Sequence, residues 1–117
     1  MTDMQTYLIM KKKAFIKVFK PRGYMMRFFD RITEAYDAGN YAEVCKIREV
    51  LKSELEGCVY GRERKYRELI VFCIFLSKYR NAPAEERLNM ASRAIHCLEL
   101  SHELGRCINE RMMAICV

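Results

Sequence analysis

Basic and aromatic side chains interleave twice in this chain of 117 residues. The first stretch holds Lys11, Lys12, Lys13, Phe15, Lys17, Phe19, Lys20, Arg22, Tyr24 and Arg27. The second holds Tyr60, Arg62, Arg64, Lys65, Tyr66 and Arg67. Ammonium and guanidinium groups neutralise phosphates, and aromatic rings stack on unpaired bases. The basic residues of both stretches are therefore the candidate contacts for RNA or for an acidic partner surface. No signature of the RRM or KH type accompanies them. The same pattern also arises if Phe15 and Phe19 are core and the lysines only flank them.

Net charge sharpens this. The first 31 residues carry Lys11, Lys12, Lys13, Lys17, Lys20, Arg22, Arg27 and Arg31 against Asp3 and Asp30, which accounts for the whole formal charge of +6. From residue 32 onward basic and acidic side chains balance. A single-sign segment raises the local concentration of anionic partners.

Other chemistries find less support. His96, Cys97, His102 and Cys107, with Cys116 beyond them, are the nearest thing to a set of metal ligands. Structural zinc sites usually show close pairs such as Cys-x-x-Cys, and none occurs here. On a helix the adjacent His96 and Cys97 diverge by about 100°. Neither a metal nor any cofactor is expected. There is no glycine-rich phosphate loop, no G-x-S-x-G and no H-E-x-x-H. The chain reads as non-enzymatic.

The six cysteines have no secretory signal ahead of them. The apolar run Tyr7–Met10 is short and is followed by lysines, the reverse of a signal peptide. Reduced thiols and an intracellular setting are expected. The longest apolar run, Leu69–Leu76, is far below the roughly 20 residues that a membrane span needs, so it reads as core.

The elements that must position these groups are mostly helical. Residues 3–19 are ambiguous between helix and strand, since neither period wins. Pro21-Arg22-Gly23 breaks the chain. Met25, Phe28, Phe29, Ile32 and Tyr36 share one face of a helix over residues 24–38. Gly39 suits a left-handed cap, Asn40 an N-cap, and Glu43 a capping box. Tyr41, Val44, Ile47, Leu51 and Leu55 stripe the next helix, which Gly57 ends. So short a link implies an antiparallel hairpin. A third helix spans residues 62–79. Pro83 opens a fourth, with Leu88, Ala91, Ile95 and Leu98 on its stripe. Ser101 is placed as the cap of a fifth, with Leu104, Cys107, Ile108, Met112 and Ile115 as its apolar face. The expected fold is all-α, four to five helices in antiparallel hairpins. It forms a single domain, 1–117, with a basic segment 1–22 and a helical body 23–117. The terminal helix offers a seam for a homodimer.

Two stretches resemble known families. Ala38-Gly39-Asn40-Tyr41-Ala42-Glu43, with Phe28 as the opening aromatic, is similar to the turn of a tetratricopeptide hairpin. That resemblance implies a helical hairpin. Asn40, Tyr41 and Glu43, followed at a fixed interval by Leu55, Glu56 and Gly57 and preceded by Asp30, Ile32 and Ala38, resemble the pre-coat protein of plant geminiviruses. The match covers residues 30–57. It lacks the family's usual start and the cysteine-rich stretch after Leu-Glu-Gly. The resemblance implies a small viral virulence protein. Such a protein suppresses host RNA silencing by binding a host factor or RNA, in the host cytoplasm or the nucleus. From a different class, the alternative is a helical adaptor that binds a peptide or dimerises and holds no nucleic acid.

Overall fold

In the computed structural model the described residues are 2–58 and 61–104, with side chains described as far as residue 100. They form five helices: α1 (Asp3–Phe19), α2 (Gly23–Asp37), α3 (Tyr41–Glu56), α4 (Glu63–Asn81) and α5 (Ala84–Leu104). The fold is all-α. Two compact units divide the chain, one made of residues 1–20 and 79–117, the other of residues 21–78.

Residues 3–19, ambiguous in sequence, are a helix. A capping box formed by Thr2 and Gln5 starts it. The Gln5 N–H donates to Thr2 Oγ1 at 3.1 Å, and the Thr2 N–H donates to Gln5 Oε1 at 2.8 Å. Two orphan donors of the first turn are thereby satisfied. Within the first unit α1 packs on α5. Thr2 and Asp3 share a surface hollow with Ala84, Leu88 and Ala91, so the two helices start at the same end. Helix α5 runs unbroken through Ser101 to Leu104. Ser101 therefore caps no new helix, because the turn before it keeps helical pairing. The apolar face expected beyond Leu104, including Cys107, lies outside the described residues. Leu88 lies off the buried stripe expected of it. It is 65% exposed, since Met90, Ala91, Ala94, Cys97 and Leu98 make the buried side of α5.

In the second unit α2, α3 and α4 run up, down and up. The chain reverses between α2 and α3 through a Schellman motif: Asn40 N–H donates to Ala35 C=O at 2.8 Å and Gly39 N–H to Tyr36 C=O at 3.0 Å. Gly39 sits at φ 73°, a conformation that glycine adopts without Cβ strain. Asn40 Oδ1 then accepts the Glu43 N–H at 3.2 Å. Glu43 does not close the expected capping box. Its carboxylate accepts from Arg31 Nη2 at 3.2 Å instead, which ties α3 to α2. Phe29 of α2 stacks on Phe72 of α4, with ring centroids 5.1 Å apart. Around that pair Ile32, Val44, Ile47, Leu51, Leu69, Phe75 and Leu76 are fully enclosed. Helix α4 thus supplies the core, as its apolar run foretold.

Two backbone positions give opposite stability predictions. A Cβ at Gly39 would meet nothing within 4 Å, so Gly39→Ala costs only the left-handed strain, about 1 kcal/mol. Lys20 already bears that strain, at φ 45° in the cap of α1. Lys20→Gly should therefore stabilise by about 0.5–1 kcal/mol. Urea unfolding of the two variants checks both signs.

Candidate anion-binding surfaces

The candidate cations separate into two groups with different chemistry. On α1, Lys12, Lys13 and Lys17 are exposed, and so is Lys20 just past its end. Lys11 does not join them. It is 0% exposed, because the helical period turns it to the same side as Met4, Tyr7, Ala14 and Phe15, so it cannot reach a phosphate. Arg22, Arg27, Arg62, Arg64 and Arg67 are exposed in the second unit, and Lys65 is half-buried there.

One carboxylate ties together the segments that carry two of the second group, Arg27 and Arg62. Glu54 stands near the C-terminus of α3. The carbonyl end of the helix dipole disfavours a negative charge there, and α3 has no basic residue in its last turn. Glu54 finds donors on two other helices instead. The Tyr24 hydroxyl of α2 donates to its Oε1 at 2.7 Å, and the Tyr66 hydroxyl of α4 donates to its Oε2 at 3.2 Å. The start of α2, the end of α3 and the start of α4 are fixed together by these bonds. Arg27 and Arg62 come with them.

The phenols report this arrangement. The hydrogen bond to Glu54 raises the Tyr24 pKa above its ordinary value, and Arg27 partly opposes the rise. Burial raises that of Tyr66, seconded by the bond to Glu54, with Arg62 opposing. Each arginine therefore lies close enough to act on a phenol bound to Glu54. No sequence pattern pairs residues 12 and 30 positions apart. The one clue was a carboxylate placed where its own helix repels it.

The aromatic half of the sequence expectation changes. Phe15 and Tyr66 are buried, and Phe19 is half-buried against Phe15 with centroids 5.4 Å apart. Tyr24 is 47% exposed, but its hydroxyl is held by Glu54. These rings build the helices' contacts and offer few open faces for bases. Tyr60 lies outside the described residues.

The thiols are described for Cys45, Cys58, Cys73 and Cys97, and none of the four is held in a disulfide. Cys73 is buried in α4. Burial pushes its thiol from 9.0 up to about 12, with Arg48 pulling down and Cys45 pushing up. Among the described residues no three His, Cys, Asp or Glu side chains converge on a metal position. His96 is exposed and Cys97 buried, so neighbours in sequence point apart. The His102 side chain and Cys107 lie outside the described residues. No family model, curated protein or solved structure matches this chain.

Two measurements follow. Glu54→Ala should cost about 1–3 kcal/mol, because the buried Tyr66 hydroxyl loses its acceptor. Tyr66→Phe should cost about 1 kcal/mol, and the double variant less than the sum. Alkaline stability should also decline. The unfolded chain releases the Cys73 proton near pH 9.0, whereas the folded chain keeps it to about 12. Stability is then complete below pH 9 and falls as pH rises toward 12. The raised phenols add to the fall once the unfolded tyrosines begin to ionise, above about pH 10. In Cys73→Ala the urea midpoint should fall less between pH 8 and 11 than in the parent.

Proposed function

We propose that this chain is a non-enzymatic binding protein that holds RNA on the arginine-bearing end of its second unit. The observation that carries the reading is the pair of bonds from Tyr24 and Tyr66 to Glu54, which brings Arg27 and Arg62 to one end of a three-helix unit. Guanidinium groups suit this task. Their planar fork meets phosphate oxygens in pairs, and they remain charged at any working pH. Arg64 and Arg67 extend the same stretch. With Tyr66 buried, contact falls mainly on the phosphate backbone, so little sequence preference is expected.

In the setting implied by the geminivirus resemblance, such binding is stoichiometric suppression of host RNA silencing: RNA, or the host factor that handles it, is occupied. The residues that carry that resemblance also have local structural tasks. Asn40 caps α3, and Gly57 follows its last residue, Glu56. An adaptor reading draws on a different observation, the exposure of Leu88 and Leu100 on α5 at 65% and 42%.

Titration of labelled single- and double-stranded RNA separates the two. Binding of both at low salt, weakened tenfold or more in Arg27→Gln/Arg62→Gln, is the expected result, since bonds to charged groups contribute about 1.5–3 kcal/mol each. No binding at low salt removes the RNA reading and leaves the adaptor.

A further inference from the structure

The outer side of α1 has a chemistry that RNA binding does not use. Ile9, Lys12, Lys13, Ile16, Lys17 and Lys20 follow one another at alternating steps of three and one. That spacing lines them along a single side of the helix. All six are exposed, the isoleucines at 48% and 45%. The opposite side, with Met4, Tyr7, Leu8, Lys11, Ala14 and Phe15, is the buried one. From Met4 to Lys20 the sequence contains no acidic residue. The stripe is thus cationic and apolar at once.

Phosphates alone would reward only the lysines. Large aliphatic side chains left half in water lower their free energy only where an apolar medium receives them. A bilayer surface with anionic headgroups rewards both kinds of side chain. Lysines lay their methylene stems along the surface and keep their ammonium groups among the phosphates. Isoleucines between them reach the boundary of the acyl chains. Ile9 and Ile16 are seven residues apart, about 10 Å along the axis, so both meet one plane when α1 lies flat.

We propose that α1 docks the protein on an anionic bilayer surface. Lys12, Lys13, Lys17 and Lys20 contact the headgroups, and Ile9 and Ile16 insert beneath them. The attachment is peripheral: among the described residues no helix is long and apolar enough to cross a membrane. This site goes beyond the RNA reading and shares none of its residues.

The test is sedimentation of the full chain with phosphatidylcholine vesicles, with and without phosphatidylserine. Binding to the anionic vesicles alone is expected. Each lysine changed in Lys13→Gln/Lys17→Gln should weaken it about fivefold. Ile9→Gln/Ile16→Gln should weaken it by about tenfold or more. All four side chains are exposed, so circular dichroism of each variant should match the parent. The chain has no tryptophan, so Ile16→Trp supplies a single reporter whose emission should shift to the blue on anionic vesicles. Absence of binding to anionic vesicles overturns the proposal. So does full affinity in the isoleucine variant, or an unshifted Ile16→Trp emission. Release from vesicles by duplex RNA, undiminished in Arg27→Gln/Arg62→Gln, would assign the stripe to nucleic acid instead.

Discussion

The second unit depends on a carboxylate in an unfavourable place. Glu54 sits where the carbonyl end of α3 repels negative charge, and it accepts hydrogen bonds from Tyr24 and Tyr66 on the two neighbouring helices. The hydrophobic stack of Phe29 on Phe72 brings α2 and α4 together, but apolar contact is not directional. The phenol bonds are directional, and they set which turns of the three helices lie side by side. At the other end of the α2–α3 hairpin, Arg31 bound to Glu43 and the edge-on rings of Tyr36 and Tyr41, 5.8 Å apart, do the same. Polar bonds thus fix the register of an apolar core, and the register decides where the arginines stand.

Among the candidate contacts, the first unit has only lysines, whereas the second has five arginines and Lys65. The first unit presents lysines with isoleucines between them, on a helix whose other side is buried. The second presents arginines around a tyrosine–carboxylate link. Lysine is a hydrated point charge on a flexible stem, suited to a diffuse field of headgroups. Arginine is a rigid fork, suited to individual phosphates. A net charge of +6 describes neither surface by itself.

Much of the fold was legible because helix punctuation is local. Gly39 and Asn40 act as their residue types require, and the face of Met25, Phe28, Phe29 and Ile32 is buried as its spacing demands. Misreadings arose where a local rule met a longer-range fact. Residues 3–19 mix β-branched, aromatic and basic residues, so no period prevailed until burial of one side chose the helix. Leu88 fits an apolar stripe by spacing but lies outside the arc that α5 buries. Lys11 belongs by type to the cationic run, yet its place on the wheel puts it inside. The two phenol bonds join residues distant in sequence, and nothing local announces them.

Whether Arg27 of α2 and Arg62, just before α4, form one phosphate-binding surface is tested most directly by the salt dependence of RNA affinity. Each phosphate contact contributes roughly 0.7–0.9 to the slope of log affinity against log salt concentration. The slope for Arg27→Gln/Arg62→Gln should be shallower than the parent's by about 1.4–1.8. A slope equal to the parent's would show that these arginines hold no phosphate and would contradict the claim.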